Sequence, residues 1–238
     1  MTRVVLIDGM LPPGTPGLVA CEALRPGEGD VAAAHALAMA AALRAGCPEA
    51  LIVNLAIFGD GLATDAATVT RALQRSAALR PVLVLAAFGM ARADAAMEAA
   101  CAALGAAGAC IVAAAPARGG TVWPAAFTGV LAVQGDARCV APDEWSHLAL
   151  PQVDFGACPV AAGHEHARGA STAAAHFAGL LAKRLAGGLS AAEALKALRR
   201  EARCSRSLRR GPWLILCRRR RRRCISPCGP GRETSRRR

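Results

Sequence analysis

The sequence predicts an α/β fold in which a doubly wound, mainly parallel sheet carries helices on both faces, and three observations predict it. Short runs of β-branched residues and leucine alternate with longer alanine-rich segments along most of the chain. Glycine, proline or aspartate closes most of the apolar runs, as turns between strands and helices require. Strand and helix patterns succeed one another singly, which is the order of repeated β-α-β units, and no repeat of fixed period appears.

Val4-Val5-Leu6-Ile7 is the first buried strand, bounded by Asp8-Gly9 and the turn cluster Pro12-Pro13-Gly14. Asp8 ends it, and the carboxyl ends of parallel strands are where α/β proteins place their chemistry. A helix over 31–45 carries His35 and stops at Gly46-Cys47-Pro48. The second strand is 50–58, followed by Gly59-Asp60-Gly61 and a helix over 66–79. Pro81 introduces a strand over 82–87, closed by Phe88-Gly89, and a helix over 93–104 leads through a glycine-bounded turn to a strand over 110–115. Val130-Leu131-Ala132-Val133 is a further strand after Trp123-Pro124-Ala125. Residues 142–151 read as irregular, and 153–155 leads through Cys158-Pro159 to a loop carrying His164, Glu165 and His166. A small-residue helix begins near Ser171, and a last helix covers 191–202 after Gly187-Gly188.

A chain of 238 residues with 54% hydrophobic content can bury one sizeable core. No apolar run approaches the roughly 20 residues of a membrane span, so no membrane partner is expected. The first strand starts at once, without the pattern of a signal peptide, and a cytoplasmic location is expected. Of the ten cysteines, six lie singly in apolar segments and read as reduced core residues. Cys217, Cys224 and Cys228 have no second pair at zinc-like spacing, no compact acidic loop demands calcium, and neither metal nor cofactor is expected.

The net charge of +12 is not spread over the chain. Residues 203–238 carry fourteen arginines against one glutamate, a charge of +13, which leaves residues 1–202 at −1. The chain therefore divides into a domain over 1–202 and a basic, cysteine-containing tail over 203–238. Two readings of the tail stay open, a disordered arm and the product of a shifted reading frame. Nucleic acid is not expected as a partner, except through that tail if the tail is native sequence.

Gly169-Ala170-Ser171-Thr172-Ala173-Ala174-Ala175-His176-Phe177-Ala178-Gly179 sets a serine among small residues at the start of a helical run. Unpaired amides and the helix dipole favour negative charge there, which suits a nucleophile. The other reading is an alanine-rich helix with a serine N-cap. This stretch resembles the nucleophile motif of the subtilisin-like serine peptidases, glycine-threonine-serine-any-alanine-alanine-proline-histidine-any-alanine-glycine. Ala170 stands for its threonine and Ala175 for its proline.

Asp8, His35 and Ser171 also follow that family's chain order of aspartate, histidine and serine. Val4-Val5-Leu6-Ile7-Asp8-Gly9 resembles its aspartate strand, and Ala50-Leu51-Ile52-Val53-Asn54-Leu55 with Gly59-Asp60-Gly61 is similar to the strand and loop after its histidine helix. Ala87-Phe88-Gly89 stands where the family has serine-leucine-glycine lining the substrate groove. Val122-Trp123-Pro124-Ala125 and Val130-Leu131-Ala132-Val133 are similar to its tyrosine-proline-alanine and isoleucine-alanine-valine segments.

Two departures concern chemistry. His35-Ala36-Leu37 replaces histidine-glycine-threonine, with His164 and His166 as alternative bases. Residues 111–116 resemble the strand leading to the oxyanion asparagine, and Pro116 stands at that asparagine, leaving the backbone amide of Ser171 as an oxyanion donor and Arg118 or Thr121 to substitute for the asparagine.

The resemblance implies a serine endopeptidase of restricted specificity, acting on a peptide or protein through Asp8, His35 and Ser171 and an acyl-enzyme. A catalytically impaired scaffold that binds a peptide or protein partner is the alternative. The size resembles the short cytosolic members of the family, among them the peptidase that trims the leader of the small subunit of quinohaemoprotein amine dehydrogenase.

Overall fold

Every residue of Arg3–Asp8 (β1) after Arg3 is buried, the signature of a strand covered on both faces. Val4 and Leu6 pack into one apolar cluster and Val5 and Ile7 into a second, so successive side chains feed opposite sides of the sheet. The computed structural model describes residues 2–27, 29–205 and 216–217.

After β1 come Leu18–Ala23 (β2), Asp30–Gly46 (α1), Leu51–Ala56 (β3), Ala66–Ala78 (α2), Leu83–Ala86 (β4), Ala95–Ala106 (α3), Cys110–Ala114 (β5) and Val130–Gly135 (β6). Trp145–Leu150 (β7), Val153–Ala157 (β8), Val160–Ala161 (β9) and His164–Arg168 (β10) lead to Ala170–Ala186 (α4) and Ala191–Glu201 (α5). Cys204–Ser205 (β11) and Leu216–Cys217 (β12) are the last described strands.

Among the described residues the main sheet has the order β12-β11-β7-β8-β6-β5-β4-β1-β3-β2, and β9 pairs with β10 in a separate hairpin. From β2 to β8 all pairs are parallel, and β7 joins antiparallel to β8. Residues of α1, α4 and α5 share one cluster, and those of α2 and α3 share the other, which makes the sheet doubly wound. The expected fold class is therefore observed, with a mixed edge.

Glycine lets α1 and α4 touch backbone to backbone. A Cβ on Gly179 would lie 2.1 Å from the Leu43 carbonyl oxygen, and one on Gly46 would lie 2.8 Å from the Gly179 carbonyl carbon. Ser190 and Glu193 form a reciprocal capping box at the start of α5.

Four expectations need correction. Residues 145–150 are a strand rather than irregular chain. The buried Ser146 hydroxyl donates to Asp136 at 2.7 Å, which offsets the cost of placing a polar side chain in this covered strand. The Leu18–Ala23 edge strand went unseen because it pairs on one side only and exposes most of its residues. For the same reason Cys21 is exposed, whereas the other five of the six cysteines are buried. His164, Glu165 and His166 lie on β10, not in a loop.

The sheet continues past residue 202. Arg203 donates its amide to the Trp145 carbonyl at 3.0 Å, and Cys204 and Ser205 pair with Ser146 and His147. Residues 206–215 and 218–238, including Cys224 and Cys228, lie outside the described residues, and with them both readings of the tail.

Candidate active site

Asp8 is the last residue of β1 and is wholly buried. Neighbouring strands in register hold it at the sheet's carboxyl edge, with Asp8 beside Ala56 and Ile7 beside Ala86. The Gly9 amide donates to Asp8 Oδ1 at 2.6 Å. A side chain at Gly9 has no room, because its Cβ would lie 2.1 Å from the Ala32 carbonyl oxygen. The first turn of α1 thus lies directly on the end of β1, and His35 follows one turn later.

His35 Nδ1 lies 2.8 Å from Asp8 Oδ1 and 3.0 Å from Oδ2. Asp8 is an acceptor, so the imidazole's Nδ1–H donates and Nε2 is left free to take a proton. Burial alone would lower the His35 pKa, but the hydrogen bond and charge of Asp8 outweigh it and hold the ring above its ordinary value. Burial raises the Asp8 carboxyl, and the contacts with His35 and the Gly9 amide offset part of that rise.

Asn54, on the adjacent strand β3, was not singled out from sequence, although an amide inside a six-residue apolar strand was a readable signal. It is completely buried. Its Nδ2 donates to the carbonyls of Leu6 at 3.2 Å and Gly9 at 3.1 Å, and its Oδ1 accepts from the Leu11 amide at 2.8 Å and from Cys21 Sγ at 3.0 Å. Asn54 therefore pins the backbone on both sides of Asp8.

Ser171 is the second residue of α4. The serine N-cap reading is corrected, because Gly169 is the N-cap and no side chain caps the helix. Gly169 has φ 117° and ψ −148°, a conformation that needs glycine. Its amide donates to the Pro159 carbonyl at 2.9 Å. The Thr172 hydroxyl donates to Ala167 O at 2.9 Å, and His176 Nδ1–H donates to Cys158 O at 2.9 Å. These bonds fasten the start of α4 to the chain leaving β8, at the same carboxyl edge that holds Asp8. Among the described residues, the hydrogen bonds of His35 go to Asp8 and none joins it to Ser171. Asp8 and His35 are thus in direct contact, and Ser171 is not hydrogen-bonded to them.

Ala87 and Phe88 follow β4 and are buried, while Gly89 is exposed. Phe88 meets Phe58 edge to face, centroids 6.3 Å apart, so its ring turns into the core. What this segment offers outward is Gly89. Met90 is bridged to Trp123 by reciprocal amide bonds of 2.6 and 3.0 Å.

Pro116 follows β5 and is exposed, and with Thr121 and Val122 it borders a small recess. Proline has no N–H to donate. The Thr121 hydroxyl already accepts from Gln152 at 3.3 Å, and Arg118 is exposed. The amide of Ser171, in the first turn of α4, is one of the helix's unpaired donors. His164 and His166 sit on the hairpin, with no hydrogen bond to Asp8.

No family model matches the chain, and no curated protein matches it either. Among solved structures, the chain is similar to a cold-adapted subtilisin-like serine proteinase, with a TM-score of 0.67 and 15% identity over 85% of this chain and 82% of that one. The strand order, the two helical layers and this likeness together show that the chain has the subtilisin-like fold.

Proposed function

We propose that the chain is a serine endopeptidase of restricted specificity. The observation that carries this reading is the Asp8–His35 contact at the carboxyl edge of the sheet, where the start of α4 also brings Ser171. In this reading Nε2 of His35 takes the proton of the Ser171 hydroxyl as Oγ attacks a peptide carbonyl carbon. The C–N bond then breaks, the same proton passes to the leaving amine, and an acyl-enzyme remains for water to hydrolyse. Asp8 holds the tautomer and stabilises the imidazolium. The Ser171 amide faces the developing oxyanion, while Pro116 contributes no donor, and loss of one such donor costs about 10²–10³ in turnover.

The backbone of Ala87, Phe88 and Gly89 is the proposed binding segment for a peptide or protein. A slow enzyme with one dedicated substrate fits this site, and leader-peptide removal during protein maturation in the cytoplasm is the proposed task. The leader of the quinohaemoprotein amine dehydrogenase small subunit is one such substrate. The test is intact-mass analysis after incubation with a fluorophosphonate. A single adduct on the wild type that is absent from Ser171→Ala supports the enzyme, and no adduct on the folded wild type overturns it.

The absence of a Ser171–His35 hydrogen bond, with a proline where the resemblance expects the oxyanion asparagine, favours a second reading. There the groove holds a peptide or protein partner without cleaving it.

A further inference from the structure

His164 and His166 lie on β10 with only Glu165 between them, and their rings meet edge to face, with centroids 5.9 Å apart and planes at 68°. They share one side of the hairpin. Among the described residues, neither ring has a hydrogen-bond partner. Neutral imidazole is a ligand for divalent transition cations. A cation about 2.0–2.1 Å from one nitrogen of each ring holds two imidazole centroids roughly 4.5–6 Å apart, a range that includes the separation of this pair.

Glu165 adds charge at the same place. Its Oε1 accepts from the Gly163 amide at 3.1 Å. Among the described residues, no group of three or more His, Cys, Asp or Glu side chains converges to hold a metal, so water would complete the coordination.

We propose that His164 and His166 form a two-imidazole chelate for a divalent transition cation, with Zn²⁺ as the representative. The site is separate from Asp8 and His35, but its hairpin packs against α1 and runs through Ala167 and Arg168 into Gly169 and α4. A bound cation therefore braces the segment that delivers Ser171.

The test is titration of the full reduced chain with Zn²⁺, followed by NMR of the ring protons of its five histidines. Thiols elsewhere in the chain also take zinc, so the ring signals and not the total uptake are read. His164→Ala and His166→Ala assign the two resonances; His166 is exposed and His164 half-buried. The expected result is that both signals shift with one shared midpoint, and that either substitution weakens the response of the remaining ring by about tenfold or more. Ring signals that stay still throughout the titration overturn the proposal. So does a His166 midpoint left unchanged by His164→Ala.

Discussion

Gly9 and Ala32 meet backbone to backbone. A methyl group on Gly9 would come within 2.1 Å of the Ala32 carbonyl oxygen and 2.5 Å of its carbon. This contact sets the first turn of α1 on the end of β1, and the Asp8–His35 hydrogen bond depends on it. Gly9→Ala is expected to destabilise the fold by about 1–3 kcal/mol, because backbone and not a flexible side chain must move. Thermal unfolding measures that loss. Ring NMR of the surviving folded fraction should show His35 displaced from its wild-type position.

Asp8→Asn keeps the shape of the side chain and removes its charge, so His35 loses the partner that selects its tautomer. The rate of fluorophosphonate labelling at Ser171 is expected to fall by up to about 10⁴, the drop in turnover when the aspartate of a catalytic triad becomes asparagine. A labelling rate equal to wild type would remove Asp8 from the mechanism.

The pH dependence follows from His35. Its pKa is raised above the ordinary 6.5, and only the neutral ring acts as base, so labelling should rise with pH through a midpoint above 6.5. In Asp8→Asn the raising influence is gone and burial remains, so the midpoint moves down. Stability runs the other way. A group whose folded pKa is raised contributes stability that is complete below its unfolded pKa and is lost as pH rises through the folded value. Denaturant midpoints across pH 6–9, compared between wild type and His35→Ala, check this sign.

Asn54→Leu removes the partners of the Gly9 carbonyl and the Leu11 amide in a site closed to water. A stability loss of about 1–3 kcal/mol is expected for the unpaired groups. Denaturant unfolding reads it. Asn54→Asp restores only the acceptor, so the Gly9 carbonyl stays unpaired and the defect persists.

Gly179→Ala tests the helix crossing that carries Ser171. Its methyl would fall 2.1 Å from the Leu43 carbonyl oxygen, so α1 and α4 must separate. The expected loss is again about 1–3 kcal/mol by thermal unfolding. Labelling of Ser171 should slow along with it.

Much of the architecture was legible because buried parallel strands and alanine-rich helices write different patterns. Val4 to Ile7, Leu83 to Ala86 and Cys110 to Ala114 are short apolar runs with turn residues at their ends, and Asp8 follows the first of them. Trp145–Leu150 was not legible, since the buried Ser146 depends on Asp136, on the chain leaving β6, to accept its hydrogen bond. The exposed edge strand Leu18–Ala23 lacked the second neighbour that makes a strand's pattern strong.

The sequence by itself determined the alternation of elements, the residue types at Asp8, His35 and Ser171, and the glycines at 9, 46, 169 and 179. Only the tertiary structure decided that Nδ1 of His35 meets Asp8 at 2.8 Å, that Asn54 pins the loop beside it, and that Phe88 turns inward. The physical reason is that periodicity reports burial along one segment. A hydrogen bond between β1 and α1 depends on how closely their backbones approach, and that is set by atoms such as the Ala32 carbonyl that no local pattern encodes.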